Sequence, residues 1–125
     1  MRYLFDTNVI IEAAANSQPA VAALHRAVNS RWVGFSAITR IELFGYPGLT
    51  TEEESALTII VGQLEEVGVT RIVVDHTIRI RRLCKVKVPD AIIAATAIDM
   101  EAMLVTRNED DFKAIPGLKV FNPWR

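Results

Sequence analysis

Cysteine is almost missing from this sequence: Cys84 stands alone among 125 residues, which excludes an intrachain disulfide and a cysteine-rich zinc site and suits a reducing compartment. A small buried hydrophobe is the ordinary role for such a residue. Long apolar runs are missing too. Nothing approaches the roughly 18 apolar residues that a membrane span requires, and the opening Tyr3-Leu4-Phe5 meets Asp6 too soon to read as a signal peptide. An excess of one charge is also lacking. Fourteen basic and fifteen acidic residues leave a formal charge of −1, so any contact with nucleic acid must come from a local patch. The two histidines, His25 and His76, lack metal-ligand spacing and read as surface or cap-region residues. The expectation is one cytoplasmic domain spanning residues 1–125.

Apolar residues are plentiful, at 50 % of the chain, enough to bury a core without covalent staples. Tyr3–Phe5 reads as a short buried strand, and Asp6-Thr7-Asn8 favours a turn or cap before a helix from Val9. Pro19 opens a second helix with Val21, Leu24 and Val28 at helical spacing, closed by Asn29-Ser30. Trp32–Phe35 is strand-like. Ser36 caps a third helix that runs to about Tyr46 and breaks at Pro47-Gly48. Thr51 with Glu52, Glu53 and Glu54 starts a fourth, whose stripe is Leu57, Ile60, Val61 and Leu64. Arg71–Val74 reads as a third strand, with Asp75 capping a short basic helix. Pro89 opens an Ala- and Ile-rich helix to about Glu101, and Met103–Val105 and Lys119–Phe121 read as the fourth and fifth strands, with Pro116-Gly117 turning between them. Short apolar strands alternating with helices predict an α/β domain, three layers deep, with a mostly parallel sheet.

In such sheets the functional crevice lies beyond the carboxyl ends of the strands, which directs attention to Asp6, Ser36–Glu42, Asp75 and Thr106–Asp111. Asp6 directly follows a strand and suits either a helix cap or a metal. Glu42, at the margin of the stripe Ala37, Ile38, Ile41 and Phe44, is expected to be partly desolvated. It then needs a cation, either a metal or an arginine such as Arg40 or Arg107, the ordinary alternative being simple exposure. Asp90 sits in the first turn of the Ala-rich helix, where the helix dipole favours a carboxylate, but that helix reads as buried. Asn108, Asp110 and Asp111 can form a turn and cap before Phe112 or complete an acidic cluster. Should these acids converge, two charges about 4 Å apart repel by around 4 kcal/mol at an effective dielectric near 20, so a cation must enter or an acid must stay protonated. Oxygen ligands alone select Mg²⁺ or Mn²⁺. Arg79, Arg81, Arg82, Lys85 and Lys87 place five cations on the approach to Asp90. Such a run is either a solvated helix face or, with Arg107, a grip on RNA phosphates.

Assembled in order, the blocks Leu4-Phe5-Asp6-Thr7-Asn8-Val9-Ile10-Ile11, Ser36-Ala37-Ile38-Thr39-Arg40-Ile41-Glu42-Leu43, Pro89-Asp90-Ala91-Ile92-Ile93-Ala94-Ala95-Thr96-Ala97, and Leu104-Val105-Thr106-Arg107-Asn108 with Asp111-Phe112 and Asn122-Pro123-Trp124 resemble the PIN-domain ribonucleases, and among them the VapC-type toxins. The resemblance runs nearly end to end. It implies that Asp6, Glu42, Asp90 and Asp111 hold Mg²⁺ or Mn²⁺. Asn108 stands where relatives often carry aspartate and would be a neutral ligand or position water, with Thr7, Asn8 and Thr106 in support. The stretch between Asp75 and Pro89 is short for the family. The resemblance further implies hydrolysis of RNA to 5′-phosphate and 3′-hydroxyl ends, a homodimer, and inhibition by a cognate antitoxin. The apolar residues Ile10, Ile11, Val21 and Leu24 are expected to receive that partner.

Three rivals share parts of this pattern. A receiver domain expects an acidic pair after the first strand and a lysine after the last, and a haloacid-dehalogenase-like phosphatase expects an acid where Asn8 stands. The third is a PIN fold that binds RNA or protein without cutting, which Asn108 favours.

Overall fold

A computed structural model describes residues 1–125. The chain runs β1 (Arg2–Phe5), α1 (Thr7–Ala14), α2 (Gln18–Val28), β2 (Trp32–Ser36), α3 (Ala37–Phe44), α4 (Thr51–Val61), β3 (Glu65–Val67), α5 (Arg71–Leu83), α6 (Val88–Asp99), β4 (Met103–Val105), α7 (Glu109–Phe112) and β5 (Val120–Phe121). The five strands form one sheet in the order β3-β2-β1-β4-β5. Every pairing is parallel: Tyr3 lies opposite Val33 and Met103, Gly34 opposite Glu65, and Leu104 opposite Val120.

Alternation along the strands builds a core on each face of the sheet. Leu4 and Leu104 point to one side and pack with Val73 and Ile80 of α5, Ala91 and Ile93 of α6, and Phe112. Phe5 and Val105 point to the other and pack with Val9 and Ile10 of α1, Leu24 of α2, Leu43 of α3, and Leu57 and Ile60 of α4. The result is the expected three-layer α/β/α sandwich. α6 is buried nearly all round, with Ala91, Ala94, Ala95 and Ala97 letting it lie close to its neighbours. No helix is long and apolar enough to cross a membrane.

The third strand differs from its expected place. Arg71–Val74 is the first turn of α5, and β3 is Glu65–Val67. Three β-branched residues in a row gave the segment a strand-like look, yet Val73 and Ile80 lie two helical turns apart on one buried face, and Thr70 caps the helix by accepting from the Val73 amide at 3.2 Å. β3 is an edge strand, so its two glutamates face solvent and leave no apolar alternation to read. Asp75 consequently lies exposed within α5, caps nothing and follows no strand. Thr50, rather than Thr51, caps α4 in a reciprocal capping box with Glu53. Those same hydrogen bonds hold the Glu53 carboxyl below the usual range.

Candidate metal centre

The sheet order reverses between β1 and β4, since the chain moves from β1 outward to β2 and β3 and then returns to add β4 on the other side of β1. A crevice is expected at that reversal, beyond the carboxyl ends of the two strands. Asp6 and Thr106, the residues after β1 and β4, meet there. Thr106 Oγ1 donates to Asp6 Oδ2 at 2.7 Å, and the Thr7 amide donates to Asp6 Oδ1 at 2.8 Å as Asp6 caps α1. The Asn108 amide in turn donates to Thr106 Oγ1 at 3.0 Å. Asp6 is thus both a helix cap and a crevice carboxylate, held by two donors and only 4 % exposed.

Glu42 approaches from α3. Its Oε1 accepts from Thr7 Oγ1 at 2.7 Å, and Thr7 Oγ1 lies 3.0 Å from Thr39 Oγ1. A hydroxyl carries one proton. Thr7 spends its proton on the carboxylate, so the buried Thr39 hydroxyl completes the relay behind it. Glu42 and Ile41 are both exposed, because the fully buried residues of α3 are Thr39 and Leu43; of the expected stripe Ile38 and Phe44 pack partly buried against the cores and Ile41 does not. The buried polar Thr39 misled that expectation, and its place three residues before Glu42, on the same helical face, is the signal that was there to find. Neither arginine considered as a neutralising partner reaches Glu42. Arg40 pairs with Glu66 at 2.6 Å and Arg107 with Glu12 at 3.1 Å.

Asp90 lies half-buried in the first turn of α6, and Asp111 is exposed on α7. Burial raises the Asp6 pKa from an ordinary 3.8 to about 6 against the lowering effect of its two hydrogen bonds, with the Asp90 and Glu42 charges adding to the rise. Burial also raises the Asp90 pKa, followed by repulsion from Asp111 and Glu42 and partly offset by Lys87. The charges of Asp90 and Glu42 thus reach Asp6, and those of Asp111 and Glu42 reach Asp90. None of them forms a salt bridge. No three are drawn close enough together to enclose an ion as they stand. Asp6 is the member held most firmly, by its two hydrogen-bond donors. The donor set is all oxygen and uncompensated by any cation in direct contact, which suits a hard divalent ion.

The other predicted residues divide. Asn8 is exposed in the first turn of α1, and Asn108 takes the N-cap position of α7 without a side-chain capping bond. Arg82, Lys85 and Lys87 are exposed. Arg79 lies against His76, and Arg81 donates to the Val86 carbonyl at 2.6 Å. Arg107 is exposed, pairs with Glu12 at 3.1 Å and lies 4.8 Å over the Trp124 ring. Ile10 and Leu24 are core residues and cannot receive a partner, leaving Ile11 exposed and Val21 partly so. Beside Ile11 lies a groove of about 430 Å³ between α1, α3 and α4, with Leu43, Tyr46, Leu49 and Leu57 along it and Glu42, Glu52 and Glu53 at its polar edge.

A family model described as the PIN domain matches residues 3–118. Among solved structures, VapBC2 from Rickettsia felis bound to a DNA fragment from their promoter is 25 % identical, with TM-score 0.85 over 98 % of this chain and 98 % of that one. A toxin-antitoxin complex from Klebsiella pneumoniae is 30 % identical, with TM-score 0.80 over 97 % of each chain. FitAcB from Neisseria gonorrhoeae is 27 % identical, with TM-score 0.78 over 98 % of this chain and 99 % of that one. No curated protein matches the sequence. With the family model covering most of the chain and the sheet, helices and crevice arranged as described, the chain belongs to the PIN-domain family, among its VapC-type members.

Proposed function

We propose that this chain is a single-domain, Mg²⁺- or Mn²⁺-dependent endoribonuclease, the toxin of a toxin–antitoxin pair. The observation that carries the reading is the gathering of acids at the switch point of a parallel sheet: the buried Asp6 carries the charges of Asp90 and Glu42 beside it, Asp90 carries those of Asp111 and Glu42, and no salt bridge joins a cation of the chain to any of the four. Those four side chains would hold the ion. When bound, a divalent ion supplies a more acidic water and positive charge against the phosphate. The chain's own groups supply orientation. Thr7 and Thr106 fix the Glu42 and Asp6 carboxylates, and the exposed Arg82, Lys85 and Lys87 offer positive charge for phosphates flanking the scissile one.

The solved relatives that are complexes with antitoxins support a protein partner for this chain as well. The groove beside Ile11 suits an apolar helix carrying basic residues, and its edge at Glu42 would let that partner present a cation to the acids. Exposed Ile72, Ile78 and Leu83 on α5 and Val88 on α6 are the apolar surface that a homodimer would cover.

Purified protein incubated with total RNA and Mn²⁺ is expected to cut at discrete positions, leaving 5′-phosphate ends, and Asp6→Asn is expected to abolish the cuts. Unchanged cleavage by the variant would assign the activity to a contaminant. RNA binding without any cleavage, independent of metal, would favour the non-cutting PIN module, the reading that the neutral Asn108 supports.

A further inference from the structure

Beyond β5 the chain turns back along the loop that leads from Thr106 to Asp111, and four contacts tie the two together. Asn122 is buried and uses both ends of its amide: Nδ2 donates to the Arg107 carbonyl at 3.2 Å, and Oδ1 accepts from the Trp124 amide at 2.9 Å. The Trp124 ring lies 4.8 Å from the Arg107 guanidinium, whose other side is held by Glu12. Arg125 pairs with Glu109 at 2.5 Å. Finally, Asn122 Nδ2 lies 3.5 Å from Glu109 Oε1. Asn108 is therefore gripped from the residue before it and the residue after it.

The grip passes directly into the notch. The Asn108 amide donates to Thr106 Oγ1, which donates to Asp6, and the Asp111 amide donates to the Asn108 carbonyl at 3.0 Å. Two of the four acids thus depend on where this loop sits. Building on the reading of the notch as a metal site, we propose that Asn122, Trp124 and Arg125 form a clamp that positions the Thr106–Asp111 loop for metal binding. Arg107 belongs to the same clamp: a guanidinium already paired and stacked is a strut between α1 and Trp124, not a free hand for RNA phosphate. The clamp's members touch no reacting group and are positioning residues. Their effect on the ion is transmitted through the loop, as partners behind metal ligands commonly act.

The test compares Trp124→Ala with Trp124→Phe, which keeps a ring under Arg107. Mn²⁺ affinity is read from the electron-spin-resonance signal of the free ion, and loop order from hydrogen exchange at the Asn108 and Asp111 amides in metal-free protein. Trp124→Ala is expected to weaken Mn²⁺ binding about tenfold and speed exchange at Asn108, while Trp124→Phe stays within about twofold of the parent. Arg125→Glu, an exposed change, serves if Trp124→Ala does not fold; it is expected to weaken binding and speed exchange, and pairing it with Glu109→Arg is expected to restore both. Variants that melt earlier yet keep parental Mn²⁺ affinity and parental exchange at Asn108 would overturn the clamp. If the parent protein binds no Mn²⁺, the metal reading falls by itself, and exchange at Asn108 still decides the clamp, unchanged exchange overturning it.

Discussion

The two ends of the sheet are built differently. At the carboxyl end, six buried polar residues crowd together after the strands: Asp6 and Thr7 after β1, Ser36 and Thr39 around the end of β2, Thr106 after β4 and Asn122 after β5. At the amino end the polar contacts are those of an ordinary surface, such as Arg2 Nε donating to the Met100 carbonyl at 2.7 Å while its guanidinium lies 5.0 Å over Trp32. Thr96 is the one buried polar residue away from the carboxyl end, and it only bonds back to the Ile92 carbonyl within its own helix. Burying a carboxylate costs stability that hydrogen bonds only partly recover. The contrast therefore locates the cost at one end, where Asp6 and Ser36 also cap α1 and α3.

Substitutions at the two ends should expose this difference. The largest effect is expected from Asp6→Asn, which removes the fixed acid: RNA cleavage and Mn²⁺-dependent stabilisation are both lost, while the metal-free protein melts at a higher temperature than the parent. Next is pH. Folded Asp6 holds its proton up to about 6, whereas an unfolded aspartate releases it near 3.8. Between those values the folded state binds more protons, so the metal-free fold loses stability as pH rises through the window, by roughly 3 kcal/mol in all. Thermal melts from pH 3.5 to 7 without metal should show the fall, and Asp6→Asn should flatten it.

A smaller loss is expected from Thr106→Val, which deprives Asp6 of one donor and the Asn108 amide of its acceptor. Leaving such buried groups unpaired costs about 1–3 kcal/mol, to be read from denaturant melts of the metal-free protein, and Mn²⁺ affinity should drop with it. Smallest is Arg2→Ala at the opposite end. It should cost about 1 kcal/mol or less and leave Mn²⁺ binding untouched; a metal-affinity loss as large as that of Thr106→Val would erase the distinction between the two ends.

Most of the layered fold could be read from the chain because its strands are short, apolar and followed at once by caps, as at Phe5-Asp6 and Phe35-Ser36. β3 escaped because Glu65-Glu66-Val67 is an edge strand stabilised by its neighbour rather than by burial of its own side chains. Asp6 and Asp90 were legible as crevice acids from their places after a strand and at a helix start. The surroundings of Glu42 were not, since the expectation took α3 to bury Ile41, which is exposed, and missed the buried Thr39. A polar residue buried to hold another polar residue leaves no periodic apolar trace. Arg107 shows the same blindness: only the fold brings Glu12 and Trp124 to it, and no local spacing announces those contacts.

Metal-dependent thermal stabilisation measured side by side on the parent protein and on Asp90→Asn addresses the acidic notch most directly. Mg²⁺ or Mn²⁺ should raise the parent's melting temperature in a saturable way and leave that of Asp90→Asn nearly unmoved. An equal shift in both proteins would contradict the assignment of these carboxylates to a shared ion.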